Sequence, residues 1–125
     1  QAMTDRTRLL AELFAAIDAM DTPGFLDRLS TAAIFRFGSS PAVQGKDAIQ
    51  AAVDGFFSTI AGVHHKITRQ IIDAQTLVCE GIVTYTRHDA STITLPFANF
   101  FEFNGDLISD YRVYIDIAPL YATDS

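Results

Sequence analysis

The sequence predicts an α+β fold, with three N-terminal helices packed on the concave face of a curved, mainly antiparallel sheet. Two observations carry this expectation. Apolar residues recur at the helical period of about 3.6 up to Gly62 and at the strand period of about two beyond it. The helical stretches all precede a run of strands joined by short turns, an order that suits a sheet covered on one face.

Each element has its own signal. Residues 5–20 carry Leu9, Leu10, Leu13, Phe14, Ile17 and Met20 on one helical stripe. In "DTPGFLDRL", Thr22 can cap a second helix and Pro23 can take its first position, so a short helix is expected to about Ser30. "AAIFRF" (32–37) reads as a strand and "GSSP" (38–41) as a loop. From Lys46 to Ala61, the residues Ile49, Ala52, Val53, Phe56, Phe57 and Ile60 form the cleanest helical stripe, and Gly62 is expected to end it in a left-handed turn. Strands are then expected over 64–72, 76–88, 92–103 and 106–117, with turns at "DAQ" (73–75), "DAS" (89–91) and the hairpin signal Asn104–Gly105. Neither repeats nor linkers interrupt this order, which gives one domain over residues 3–121. Met3 is the expected natural start, which would make Gln1 and Ala2 a cloning remnant.

Composition narrows the function classes. With 49% apolar residues and ten Phe in 125, the chain can fill a core and line an apolar cavity besides. A net charge of −6 and nine scattered Lys and Arg argue against nucleic acid, whose phosphates need clustered cations. The one cysteine, Cys79, cannot form an intrachain disulfide and sits in the apolar run "LVCEGIV" as a small buried hydrophobe. The start lacks the apolar region of a signal peptide, and no stretch approaches the ~20 apolar residues of a membrane span. A cytoplasmic protein without membrane contact is the expectation.

The informative residues are the polar ones on apolar rows. In "ITLPFANFFEF" the inward row would be Ile93, Leu95, Phe97, Asn99, Phe101 and Phe103, with Asn99 its only polar member. A buried amide needs partners, so Asn99 either meets backbone or water, or faces a ligand. Arg87 and Asp89 share a strand face; taken alone, the pair is a surface ion pair worth about 0–1 kcal/mol. In "YRVYIDI" one face holds Tyr111, Val113, Ile115 and Ile117 and the other Arg112, Tyr114 and Asp116. Asp116 by itself fits solvent or a pocket. His64 and His65 point to opposite faces, so at most one can enter a pocket, and a structural or exposed role is expected for each; His88 is expected outside. Tyr85 and Tyr114 can donate hydrogen bonds from amphipathic positions.

"QGKDAIQAAVDGFF" and "LPFANFFEFNGDLISDYRVYIDIAPL", with the order of elements and the length, resemble the SnoaL-like branch of the NTF2-like superfamily. The resemblance spans nearly the whole chain. It implies a cone: a conical cavity on the concave side and a homodimer through the convex side. Arg112, Tyr114 and Asp116 would then face the cavity, and Tyr111, Val113 and Ile115 the dimer.

The subfamilies imply different chemistry. Ketosteroid isomerases keep a carboxylate base at a position that falls at or beside Phe37 and an oxyanion tyrosine near Leu13; only their third group has a polar counterpart, Asn99. Limonene-epoxide hydrolases carry R-x-D and Y-x-D motifs that match Arg87, Asp89 and Asp116, the implied catalytic set. Two carboxyls bridged by one arginine can hold a single proton, giving acid and base together. That family's water-holding residues fall near Phe35 and Phe37, which cannot hold water. The resemblance thus implies a small hydrophobic ligand against Phe14, Phe35, Phe37, Phe56, Tyr85, Phe97, Asn99, Phe101 and Tyr114. Acid–base catalysis without metal or organic cofactor, as hydrolase, isomerase or cyclase, is one outcome. A non-catalytic ligand-binding or dimerisation module is another, and an accessory protein that shapes a reactive intermediate a third.

Overall fold

The computed structural model describes residues 2–122. Helices α1 (Ala2–Asp18) and α2 (Thr22–Leu26) lead into β1 (Leu29–Phe37), followed by β2 (Val43–Gln44) and α3 (Lys46–Phe57). The meander is β3 (Gly62–Asp73), β4 (Thr76–Thr86), β5 (Thr92–Asn104) and β6 (Leu107–Tyr114), and the one-turn helix α4 (Ala118–Tyr121) closes the chain. The strands form one six-stranded sheet in the order β2-β1-β6-β5-β4-β3. Every pairing is antiparallel except β1 with β6, which is parallel. The architecture is the expected α+β one: a curved, open sheet with helices α1, α2 and α3 preceding the meander.

Local chemistry moves several boundaries. Met20 adopts φ 55° and ends the first helical stripe, with the Asp21 N–H bonding back to the Ala16 carbonyl at 2.8 Å. Asp21, not Thr22, caps α2: its side chain accepts from the Gly24 N–H. Thr22 is buried and donates to Asp54 Oδ1 at 2.6 Å, tying α2 to α3. The second helix stops at Leu26, so β1 starts at Leu29 rather than residue 32. Helix α3 ends at Phe57 with Ser58 in right-handed geometry; Gly62 opens β3 instead of stopping the helix. The last strand ends at Tyr114, and residues 118–121 turn into α4, which the strand pattern did not reveal.

The core lies between the helices and the inward face of the meander. Helix α1 presents Leu10, Leu13 and Phe14 and α3 presents Ile49 and Val53, all buried. Strands β4 and β5 send their odd-numbered residues inward, among them Leu77, Cys79, Val83 and Tyr85 opposite Leu95, Phe97, Asn99 and Phe101. Register carries the same face into β6. Asn99 pairs with Val113 and Phe101 with Tyr111, and directly paired residues project to one side of a sheet. Tyr111 and Val113 are therefore inside, while Arg112 and Tyr114 are exposed on the outer face. This reverses the assignment that the family resemblance implied for the last strand. Among the described residues, no helix is long and apolar enough to cross a membrane.

One glycine in the meander is required by backbone contact. Gly81 sits opposite Ile67, where the β3–β4 register shifts. A Cβ there would collide with the Lys66 carbonyl oxygen and crowd Ile67 Cα at 3.0 Å. Both are main-chain atoms of a paired strand and cannot rotate away. Gly81→Ala is expected to destabilise the fold by about 1–3 kcal/mol, the range for overpacked sites, as measured by urea unfolding.

Candidate functional site

Between α3 and the inward face of the sheet lies a cavity of about 260 Å³. Phe35 and Phe37 of β1 and Val53 and Phe56 of α3 form one wall. Val83, Tyr85, Phe97 and Asn99 of the meander form the opposite wall, with Tyr111 and Val113 beside them. The exposed Ser40, Pro41 and Tyr121 stand at its rim, so the opening lies between the loop after β1 and α4. The Phe37–Phe56 ring contact, at 4.8 Å, lies within the first wall, and the Phe56–Tyr85 contact, at 5.6 Å, joins the two. Among the described residues, no Asp, Glu, Lys or Arg lines the space.

Asn99 is 1% exposed and its Oδ1 has no hydrogen-bond partner among the described residues. An unsatisfied buried acceptor costs about 1–3 kcal/mol, so this position is held at some expense of stability. Its neighbour across the ladder is Cys79. Burial pushes the Cys79 thiol up to about 12 against the opposing pull of the Asn99 backbone and side-chain N–H groups. The thiol is held neutral and unreactive.

A second polar feature joins α1 to the cavity wall. His65 lies on the inward row of β3 with Val63 and Ile67. Its Nδ1 sits 2.6 Å from Asp18 Oδ1, and its backbone N–H donates to Asp18 Oδ2 at 3.1 Å. Phe14 and Phe97 pack on the ring, with centroids 4.8 and 5.2 Å away. The carboxylate accepts a hydrogen bond from Nδ1–H, which leaves the lone pair on Nε2, and no partner for Nε2 exists among the described residues. His65 itself lines the cavity. An aspartate that orients an imidazole inside an apolar space is the arrangement that makes histidine a proton acceptor. The sequence signal was there in the parity of His65 with Val63 and Ile67. Its partner Asp18, 47 residues away, had none.

Burial also holds two phenols neutral in this wall. Desolvation raises the Tyr111 hydroxyl well above its ordinary value, and desolvation followed by the nearby Tyr121 raises that of Tyr85. Each can rotate to donate or accept.

Of the residues that the resemblance put against a ligand, Phe35, Phe37, Phe56, Tyr85, Phe97 and Asn99 lie on the lining of this cavity. Three other expected ligand contacts do not. Phe14 is buried behind His65 and Phe97. Phe101 is packed against Tyr111, 4.5 Å between centroids, and Tyr114 stands on the outer face, 48% exposed.

The set Arg87, Asp89 and Asp116 has a different role in the geometry. None of the three lines the cavity, and Arg87 makes no ion pair with either carboxylate. Arg87 Nε donates to the Leu120 carbonyl at 2.9 Å and its Nη2 to the Pro119 carbonyl at 3.1 Å. Nη1 reaches Ser91 Oγ at 3.1 Å. Asp89 is exposed and accepts from the Ser91 hydroxyl and N–H, which hold its carboxyl below the usual range. Asp116 is exposed and accepts from the Ala118 N–H at the start of α4. Arg87 and Asp116 secure the C-terminal turn that brings Ile117 and Tyr121 to the cavity rim, while Asp89 orders Ser91, whose hydroxyl accepts from Arg87. The inward side of β6 is taken by Tyr111 and Val113, which leaves Asp116 to solvent. Arg112 is likewise outside, bonded to Asp110 at 3.0 and 3.1 Å. Among the described residues no cluster of three or more His, Cys, Asp or Glu could hold a metal ion.

Comparison with known proteins agrees with this geometry. Residues 10–111 match the family described as SnoaL-like domain. No curated protein matches the sequence. Among solved structures, an NTF2-like protein of unknown function from Burkholderia pseudomallei K96243 superposes with a TM-score of 0.84 at 18% identity, over 93% of this chain and 94% of that one. TerC, crystallised with polyporic acid, gives 0.82 at 14% identity, over 94% and 95%. An LEH-like epoxide hydrolase of M. tuberculosis gives 0.78 at 16% identity, over 92% and 85%. At such identities the likeness concerns the fold. The family match covers most of the chain, and the curved sheet with its preceding helices is the architecture it calls for: the protein belongs to the SnoaL-like domain family, on the NTF2-like fold.

Proposed function

We propose that the cavity binds a small, uncharged, mainly apolar molecule, and that His65 moves a proton on it without a metal or organic cofactor. The observation that carries this reading is the Asp18–His65 pair, 2.6 Å apart, with Nε2 unbonded on an apolar wall. The chemistry follows from the pair. Asp18 holds the Nδ1 proton, so Nε2 is the basic atom. When Nε2 takes a proton, the imidazolium forms beside a carboxylate and is stabilised by it. A neutral tyrosine, Tyr85, stands on the same side of the cavity and can donate to an oxygen on which charge develops. The likeness to TerC, whose structure was obtained with polyporic acid, supports an organic ligand in this fold.

A binding module without turnover is the second reading, and Phe35 and Phe37 favour it, because both line the cavity as apolar groups where the resemblance places water-holding residues. One substitution separates the two. Solvent-deuterium incorporation into a panel of one- and two-ring ketones, with epoxide opening run in parallel, would be followed by NMR. His65→Gln keeps a donor for Asp18 but cannot cycle a proton, and activity is expected to fall by about 10²–10⁴-fold, the usual share of general acid–base catalysis. Thermal stability is expected to stay close to that of the parent. Activity that survives His65→Gln would leave a binding pocket only.

A homodimer through the outer face of the sheet belongs to the same proposal. That face exposes Ile82, Phe100 and Tyr114 at 40, 44 and 48%, and Phe100 and Tyr114 rings meet edge-on at 5.7 Å. Exposed apolar groups in one patch support a self-complementary two-fold contact. Phe100→Asp is expected to convert a dimer to a monomer by light scattering at micromolar concentration.

A further inference from the structure

The pocket reading leaves the ligand's chemistry open, and two phenols on the wall narrow it. Tyr85 of β4 and Tyr111 of β6 both line the cavity, and both are buried. A buried tyrosine usually gives its hydroxyl a hydrogen-bond partner. These two have none among the described residues: burial is the largest influence on each hydroxyl, and no hydrogen bond offsets it. Neither oxygen is sealed off. The sealed side-chain polar atoms without a partner, among the described residues, are Arg28 Nε and Asn99 Oδ1. The Tyr85 and Tyr111 oxygens therefore keep accessible surface, and the space these residues line is the cavity.

The two phenols stand at different ends of it. Tyr85 pairs with Ile93 of β5, and Tyr111 pairs with Phe101, eight residues further along the same strand. That is roughly 27 Å of extended strand, a span that the curve of the sheet shortens across its concave side. Tyr111 is packed among the buried rings of Phe25, Phe35 and Phe101, with centroids 5.9, 5.3 and 4.5 Å away, so its hydroxyl belongs to the inner end. Tyr85 meets Phe56 at 5.6 Å and lies near the half-exposed Tyr121 of the rim, so its hydroxyl belongs to the mouth. His65 falls between them: it pairs with Val83, which pairs with Leu95. A ligand with one oxygen would satisfy one phenol and leave the other unpaired. A ligand with an oxygen at each end satisfies both and lays its apolar middle beside His65.

We propose that Tyr111 positions the ligand from the inner end of the cavity, and that the ligand is an uncharged one- or two-ring molecule with an oxygen function at each end, the inner one bonded to Tyr111 and the outer one to Tyr85. This assignment rests on the pocket reading and adds to it the polarity, length and orientation of the ligand. A cavity of about 260 Å³ exceeds the roughly 150 Å³ that holds one benzene and falls short of the roughly 300 Å³ where drug-sized pockets begin, which sets the ring count. Either phenol can donate or accept, so hydroxyl and carbonyl oxygens both qualify. The ligand class is that of diphenols, hydroxyketones and diketones with their oxygens apart.

Three probes of one skeleton test it against the full chain by calorimetry: 2,6-dihydroxynaphthalene, 2,3-dihydroxynaphthalene and 2-naphthol. The first carries oxygens at opposite ends, the second carries both at one end, and the third carries one. 2,6-Dihydroxynaphthalene is expected to bind about tenfold more tightly than either of the others, the worth of one further neutral hydrogen bond. Tyr111→Phe keeps the ring and its packing and removes only the hydroxyl. In that variant the advantage is expected to shrink to less than about threefold, while 2-naphthol, still served by Tyr85, binds within about threefold of its affinity for the parent. Equal binding of 2,6-dihydroxynaphthalene and 2-naphthol to the parent protein overturns the two-ended assignment and leaves the pocket reading standing. An advantage shared by 2,3-dihydroxynaphthalene overturns the placement of the phenols at separate ends. An unchanged advantage in Tyr111→Phe overturns the role of Tyr111. Failure of all three probes to bind overturns the pocket reading and this assignment together. The comparison within the parent protein decides the matter even if Tyr111→Phe does not fold.

Discussion

The ladder joining β4, β5 and β6 decides what the cavity contains. Side chains alternate along a strand, so fixing one residue's face fixes every other residue of that strand until a bulge intervenes. Cys79 opposite Asn99, and Asn99 opposite Val113, put these three residues on one face. The same register sends Phe100, Arg112 and Tyr114 outward. A slip of one residue would exchange the two sets: an arginine would enter the space and an asparagine would leave it. The uncharged wall, the orphaned amide oxygen and the exposed apolar patch all follow from this single choice of register.

Energetics explain why so few polar atoms remain inside. Aromatic contacts such as Phe25–Phe35, Phe35–Tyr111 and Phe101–Tyr111, at 5.9, 5.3 and 4.5 Å, fill the space between helices and sheet. Against that background each polar group must be accounted for. Thr22 is satisfied by Asp54, and His65 Nδ1 and its backbone N–H are both satisfied by Asp18. Asn99 Oδ1 is not.

How much could be read in advance depended on whether the signal was local. The third helix was legible because Ile49, Val53, Phe56 and Phe57 repeat within the helix itself, and the last hairpin because Asn104–Gly105 supplies its own turn, with Gly105 at φ 64°. Asn99 was legible as the one polar residue on its row. The inward face of β6 was also legible from apolar alternation alone: Tyr111, Val113 and Ile115 make an apolar row. The motif resemblance pointed the other way, through an R-x-D and Y-x-D match to enzymes whose carboxylates face their cavity. Non-local facts were out of reach. Asp18 meets His65 only because the end of α1 packs beside β3, and Arg87 finds α4 only because the chain turns after Ile117.

The fate of Arg87 shows why a short motif can persist while its chemistry does not. A guanidinium has five donors in a rigid plane, and it binds carbonyl oxygens at a helix end as well as it binds carboxylates. Here two of its bonds go to the Pro119 and Leu120 carbonyls of the one-turn α4, and Asp116 accepts from the Ala118 N–H at the start of the same turn. Cation at the C-terminal end and carboxylate at the N-terminal end both match the polarity of a helix. A carboxylate in the cavity would have needed that arginine as its counter-charge, and the arginine is already engaged. Commitment of Arg87 to the strap therefore removes the means of keeping a second charge inside. His65 is different: its counter-charge, Asp18, comes from α1 and not from Arg87, which is why the proposed proton transfer is placed on it.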